Sequence, residues 1–387
     1  MVYIGIDVSS DKFNVCILYP DSSKSIDLSF RQSRKGFEKF HSKLLNIHED
    51  VLIAMESTGV YHMSLYEFLS LKGFEVLLLH PYTLKHFLKA YSHSKTDSID
   101  ARSIALVLSQ LSNSIHLSNV PSDQLNALRE LVRFRNSIVQ QRSNLYRRLH
   151  NFLRLDMPEI LKFFDVNSKV LHALLSRFPT RLDIISNQQD VVQFLSSFKN
   201  WNESKAQSLI SALKDSIGLR DTFGSHSLII SSIITQVKSL SEQLERIEDK
   251  ISELLSQFPD NPISSIKGIG PVTLAQIIAE VGDISRFSSS KAFVAYSGLD
   301  PVIHQSGKSF HSGGISKKGN SALRYTFYNL AVRIVRYPGK YRDKYLLLLE
   351  RGKPKKVALI AIARKLAVLV YTLWTRGENF DPNIALT

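Results

Sequence analysis

The sequence predicts a mixed α/β domain at the N-terminus and a mainly helical remainder, and three observations carry that prediction. Short β-branched runs alternate with amphipathic stretches over the first eighty residues. From Pro121 to Pro259 the chain is strand-poor, with apolar residues at helical spacing. From Asn261 onward, Gly/Ser/Lys loops lead into basic helices. These shifts divide the chain into residues 1–118, 119–260 and 261–387, as expected for a length that exceeds one ordinary core.

In the first segment, Val2 to Val8, Lys12 to Tyr19 and Ser25 to Phe30 read as three strands joined by Ser-Ser-Asp and Pro-Asp-Ser-Ser turns. A helix from Lys35 to Ile47 places Phe37, Phe40, Leu44 and Leu45 on one face. Strand Val51 to Met55, helix Tyr61 to Leu71, strand Phe74 to His80 and a helix from about Leu84 complete the order βββαβαβα, which is that of an RNase H-like fold.

Four carboxylates stand out against that frame. Asp7 lies inside Val2-Tyr3-Ile4-Gly5-Ile6-Asp7-Val8, a run that reads as a central strand, where a charge calls for a partner or a metal. Glu56 ends the apolar run Val51 to Met55, just before the turn Ser57-Thr58-Gly59. If the first and fourth strands are neighbours, Asp7 and Glu56 meet across the sheet. Asp97 and Asp100, three residues apart, open a late helix that can cover them. Such a cluster suits phosphoryl transfer, in which two divalent ions about 3.5–4 Å apart activate the attacking oxygen and stabilise the leaving one. Hard oxygen ligands favour Mg2+ or Mn2+. The plainer reading is that Asp97 and Asp100 cap a helix and Asp7 sits at a strand end.

Composition narrows the partners. The formal net charge is +14. Between Val302 and Arg376, sixteen Lys and Arg face only Asp343 and Glu350, an excess as large as that of the whole chain. A polyelectrolyte segment of this kind, interleaved with Phe310, Tyr325, Tyr328, Tyr337, Tyr341 and Tyr345, points to nucleic acid. The apolar runs read as too short or too charge-interrupted to cross a membrane. A single cysteine, Cys16, excludes an internal disulfide framework, and with no signal-peptide pattern a cytoplasmic location is expected. The twelve histidines are scattered, so no structural zinc is expected.

Two long helices are predicted in the middle. Leu125, Leu128, Leu131, Val132, Ile138, Val139, Leu145 and Leu149 form an apolar stripe between arginines, and Leu228 to Leu255 repeats apolar residues at gaps of three or four, as in coiled coils. They can pair within one chain or between chains. Further on, Ile263 to Gln276 has the form of a helix-hairpin-helix. Gly268 and Gly270 make its turn, and the amides that open the next helix can hold a phosphate beside Lys267. Lys308, Lys317, Lys318 and Arg324 belong to the loops that follow and are candidate nucleic-acid contacts.

Taken together, the Gly-Ile-Asp-Val start, Glu56-Ser57-Thr58-Gly59, Lys95-Thr96-Asp97-Ser98-Ile99-Asp100-Ala101, the hairpin motif, Ser306-Gly307 and Ser316-Lys317-Lys318-Gly319-Asn320 resemble the DEDD transposases of bacterial insertion sequences. This is the family whose recombinases are guided by a bridge RNA. The resemblance spans both ends of the chain in order and is loose in the middle. It implies a RuvC-like N-terminal domain with Asp7, Glu56, Asp97 and Asp100 as magnesium ligands, a coiled-coil region, and a C-terminal transposase domain with a nucleophilic serine. That serine is Ser306 by its place in the motif. It would attack a DNA phosphate and form a covalent link, and the two centres would combine between protomers in a dimer or tetramer on DNA.

From the residues alone, no base marks Ser306, and Ser316 beside Lys317 and Lys318 is its main rival. Other classes stay open. A RuvC-type Holliday junction resolvase would use the same carboxylates with water as nucleophile. An actin-like sugar kinase shares the opening strand but needs phosphate and adenosine motifs that the sequence lacks. A non-enzymatic DNA-binding protein would use the hairpin and basic segment alone.

Overall fold

A computed structural model describes residues 1–19, 24–56, 60–79, 84, 100–111, 123–219, 221, 223–306 and 309–381. Asp97, Ser57–Gly59, Gly307 and Lys308 lie outside the described residues, and of residues 303–306 and 309–313 only the backbone is described. The chain divides into two units, Met1–Val120 and Pro121–Thr387.

The first unit is built on a five-stranded sheet of order β3-β2-β1-β4-β5. Strands β1 (Val2–Val8), β2 (Lys12–Tyr19) and β3 (Lys24–Arg31) form an antiparallel meander. Strands β4 (Val51–Glu56) and β5 (Val76–Leu79) add in parallel on the other side of β1. The predicted meander is therefore present, and β1 and β4 are neighbours.

Alternation along β1 separates two faces. Val2, Ile4 and Ile6 face one way and pack with Phe13 and Val15 against α1 (Arg34–Leu45) and α2 (His62–Leu71), through Phe37, Phe40, Leu65 and Leu69. Helix α3 (Ala101–Leu111) covers the opposite face, burying Ile104, Val107 and Leu108 against Leu52, Ala54 and Leu77. Its entry is unusually close. A Cβ on Gly5 would overlap the carbonyl oxygen of Ala101 and the amide of Ala105. The surrounding residues Cys16, Ala54, Ala101 and Ala105 are small and buried, so sheet and helix backbones meet directly.

The second unit is organised by two long helices, α4 (Asp123–Asp156) and α9 (Ser225–Leu255). Side-chain contacts run in opposite directions along them: Gln124 to Gln257, Arg135 to Glu248, Arg142 to Ser241 and Asp156 to His226. The two predicted helices thus pair within the chain, antiparallel. At one end they share a core with the short helices α5 (Lys169–Arg177), α6 (Arg181–Ser186), α7 (Gln188–Ser196) and α8 (Glu203–Lys214), in which Phe164 and Trp201 stack at 4.7 Å. At the other end Leu128, Val132 and Ile251 pack on Ala275, Ile278 and Ala279 of α10 (Pro271–Val281).

Helix α10 also enters the last core, with α11 (Ser290–Tyr296), α12 (Ser321–Ile334), α13 (Lys340–Glu350) and α14 (Lys355–Arg376). Among the described residues α14 alone is long and apolar enough to cross a bilayer, contrary to the expectation from charge interruption. Its Ile362, Leu366 and Val370 are fully buried in the protein core, which accounts for its composition. Two further differences from the expected layout concern residues 262–315. The first arm of the predicted hairpin is a single 3-10 turn, Pro262–Ser265, rather than an α-helix. The expected loops before α12 contain an antiparallel ribbon, β6 (Pro301–Ser306) and β7 (Ser309–Ile315), closed by the pair Ser306 and Ser309.

Gly5→Ala should displace α3, because the added methyl meets backbone rather than a side chain that could move. Overpacking of this kind costs about 1–3 kcal/mol or more. The expected outcome is a lowered unfolding midpoint of the first unit by circular dichroism; an unchanged midpoint would contradict the close approach.

Candidate functional site

Asp7 sits on β1 directly opposite Asn14 of β2, on the face that α3 covers. The parallel register pairs Ile6 with Met55, so Asp7 and Glu56 follow at the same edge of adjacent strands. Asp100 immediately precedes α3 and caps it, its Oδ1 accepting from the amide of Ser103 at 2.7 Å. It is the cap of the helix rather than a member of it, and the approach at Gly5 sets its place over the sheet. Burial pushes the Asp7 carboxyl above its ordinary value, and the negative charges of Glu56 and Asp100 push it the same way. Three of the four predicted carboxylates therefore share one electrostatic neighbourhood, and the fourth, Asp97, lies outside the described residues.

The sequence reading missed Asn14. Its side chain donates to Asp7, and because its Oδ1 accepts from Ser29 Oγ at 3.0 Å, the donor is the amide nitrogen. A polar residue between Phe13 and Val15 was the available signal. Cys16 is no rival nucleophile, since burial and the neighbouring Asp27 raise its thiol to about 12.

As donors, Asp7, Glu56 and Asp100 fit a hard divalent ion: all are oxygen ligands, and the half-buried Asp7 carries uncompensated like charge beside it. Among the described residues no three acidic, histidine or cysteine side chains close a coordination shell by themselves.

The second unit gathers the other predicted residues along α12. Gly268, at φ +98°, turns the chain beside Leu330, and its carbonyl accepts from Arg333 Nη1 at 3.1 Å. Gly270 is the extended cap of α10, and the Lys267 ammonium lies over the Tyr337 ring at 4.2 Å. At the other end of α12, Ser316–Asn320 folds against Tyr296–Asp300. The Ser316 hydroxyl donates to Asp300, its amide donates to the Asp300 carbonyl at 2.9 Å, and Asn320 N donates to Tyr296 O at 2.6 Å. Lys317 holds the left-handed conformation at φ 55°, uncommon for a side-chain-bearing residue. Arg324 Nη1 reaches the Gly319 carbonyl at 3.5 Å. Ser306 stands at the far end of the ribbon whose base this loop secures, and Ser316 at the base.

Behind the loop lies Glu280, with only 2% of its side chain exposed. Its two oxygens accept from Arg133 Nε and Nη2 at 2.8 and 2.9 Å, and Oε2 also accepts from Asn320 Nδ2 at 2.8 Å. Burial works to raise this carboxyl, but the bonds from Arg133 and Asn320 outweigh it and hold it below its ordinary value. An acid inside the apolar run of α10 was the sequence signal for it.

Comparison with known proteins agrees with both units. A family model described as "Transposase" matches residues 4–158, and one described as "Transposase IS116/IS110/IS902 family" matches residues 260–346; together they cover well over half of the chain. The chain belongs to this family of insertion-sequence transposases. A relative from Yersinia enterocolitica, named the transposase for insertion sequence element IS1328, is 24% identical over 98% of each chain. An uncharacterised insertion element IS110 protein of Streptomyces coelicolor is 21% identical over 98% of this chain and 95% of its own. A pilin gene-inverting protein of Moraxella bovis is 32% identical over 38% of this chain and 48% of its own. As a member of this transposase family the chain is an enzyme.

Two outcomes follow from the carboxylates. Asp7→Asn should raise the thermal midpoint of the metal-free protein by relieving repulsion from Glu56 and Asp100; a fall in midpoint would contradict the shared neighbourhood. Glu280 stabilises the fold above its ordinary value of 4.5 and loses that contribution as pH falls below it. Glu280→Gln should therefore cost about 2 kcal/mol at neutral pH and flatten the acid-unfolding curve, as read by fluorescence.

Proposed function

We propose that the protein is the DNA transposase of an insertion sequence, cleaving and exchanging strands with Mg2+ (or Mn2+) held by Asp7, Glu56, Asp97 and Asp100 and with Ser306 as nucleophile. The observation that carries the reading is the convergence of Asp7, Glu56 and Asp100 at one edge of an RNase H-like sheet in a chain of this family. The bound ion would supply charge stabilisation for a phosphoryl group in transfer.

The chain's own residues set up the rest. Asn14 orients Asp7, and Asp100 is fixed by its capping bond. In the transfer itself, Ser306 Oγ forms a bond to a DNA phosphorus, the bond from that phosphorus to a deoxyribose oxygen breaks, and the serine proton leaves as the released oxygen takes one up. One phosphodiester replaces another, so the linkage is conserved for rejoining to a second strand. The Ser316 hydroxyl is engaged with Asp300 in bracing its loop, which favours Ser306 of the two.

In this reading the residues 119–260 serve as a helical spacer between the catalytic domain and the transposase domain at 261–387. DNA is bound at donor and target, and Lys267, Gly268, Gly270, Lys308, Lys317, Lys318 and Arg324 contribute nucleic-acid contacts. A noncoding bridge RNA acts as guide, and a dimer or tetramer brings the two centres together in the cytoplasm. A RuvC-type nuclease using water is the reading that the same carboxylates would also serve.

The test incubates the protein with Mg2+, its flanking noncoding RNA and labelled donor and target DNA. The expected product is protein-linked DNA that survives denaturation and disappears in Ser306→Ala. Asp7→Ala and Glu56→Ala should lower strand exchange by on the order of a hundredfold or more, equivalent to about 3 kcal/mol of transition-state stabilisation, while DNA binding persists. Cleavage without an adduct would establish the water-using nuclease instead.

A further inference from the structure

Three arginines gather around one buried carboxylate in the second unit, and the charges do not balance. Arg129 and Arg133 lie one turn apart on α4, and Arg286 ends the 3-10 turn Ile284–Arg286 that follows α10. Arg129 is held by one backbone and one side-chain acceptor, Nε donating to Ala279 O at 2.8 Å and Nη1 to Asn126 Oδ1 at 3.3 Å. Arg133 takes both oxygens of Glu280. Arg286 stacks over Tyr296 at 4.6 Å and Phe287 at 4.7 Å, and the Tyr296 hydroxyl donates to Glu280 O at 3.2 Å. Among the described residues the contacts of Arg286 are rings rather than a carboxylate. Asp283, the nearest acid in sequence, accepts from the Ser285 amide and hydroxyl.

Glu280 offsets Arg129, while Arg133 and Arg286 both act on it with like charge. Three guanidinium groups against one carboxylate leave an excess of about two positive charges, in a place where a ring stack and a backbone carbonyl prevent the arginines from separating. Arg133 and Arg286 are exposed, so the excess faces solvent. A guanidinium held by stacking keeps its fork of donors free for a planar or tetrahedral oxyanion. Asn320, bonded to Glu280, joins the cluster to the Ser316–Asn320 loop.

We infer that Arg129, Arg133 and Arg286 form a binding site for a backbone phosphate of a nucleic-acid strand, beside the Ser316–Asn320 loop. This rests on the proposed action on nucleic acid and adds a site on α4 and the turn after α10 to the contacts expected from the basic C-terminal segment. The phosphodiester is common to DNA and RNA, so the test carries an arm for each.

The full-length chain is titrated by fluorescence anisotropy onto a labelled DNA duplex and onto a single-stranded RNA of the same sequence, over a series of salt concentrations. Arg286→Gln, at an exposed position, should weaken binding several-fold and reduce the slope of log affinity against log salt by about 0.9 on the duplex or about 0.7 on the single strand. The arm that changes identifies the strand held. Arg177→Gln is the control, because Arg177 also stacks on a ring, Phe194, at 4.4 Å, but on α5, away from the cluster. Arg129→Gln should repeat the loss where circular dichroism shows it folded.

A steep parent slope that Arg286→Gln leaves unchanged overturns the site, as does an equal loss in Arg177→Gln. A parent with no salt-dependent binding to either strand fails the nucleic-acid reading itself, and the site with it.

Discussion

The backbone contact between β1 and α3 at Gly5 is the constraint on which the first unit depends. Helices on the faces of a sheet normally stand off it, with side chains between. Here the floor is made of Gly5, Cys16 and Ala54 and the helix presents Ala101 and Ala105, so side-chain packing gives way to direct approach. The residue before that helix is Asp100. Three carboxylates are brought together because small residues remove the distance between the elements that carry them. The cost is the burial of Asp7 together with repulsion from Glu56 and Asp100, which the fold tolerates through one hydrogen bond from Asn14 and the large aromatic core on the opposite face.

In the second unit a comparable role falls to Glu280. Isolated, a carboxylate so deeply buried would be strongly destabilising. Supplied with donors from α4 and from the loop after β7, it fastens a long helix to the framework that holds the ribbon. The antiparallel pairing of α4 with α9 makes that helix stiff, so the fastening point is also fixed relative to the helical core at the far end.

Much of this was legible in the sequence. The period-two runs of β1 to β4 and the helical stripes of α1, α4 and α9 are strong local patterns, and Asp7 betrayed itself by interrupting an apolar strand. What was hidden depended on partners distant in the chain. Arg133 and Glu280 are 147 residues apart, and Asn320 is 40 residues from the same carboxylate. Neither periodicity nor composition reports such a pair. The ribbon was missed for a different reason: β7 is rich in Ser and Gly, residues with little preference for strands, so its pairing with β6 left no local signal. Asn14 was hidden because its importance lies in register, which places it opposite Asp7.

The two-stranded ribbon has a mechanical consequence. Five residue steps separate Pro301 from Ser306, so the tip projects by roughly 17 Å, and a tilt of about 10° at the base would swing it by about 3 Å, more than a bond-forming distance. A lever of this length transmits error as readily as motion. The bonding of Ser316, Lys317 and Asn320 to the Tyr296–Asp300 segment therefore acts as the clamp of a cantilever, and where the tip stands is decided at the opposite end, by residues that never reach it.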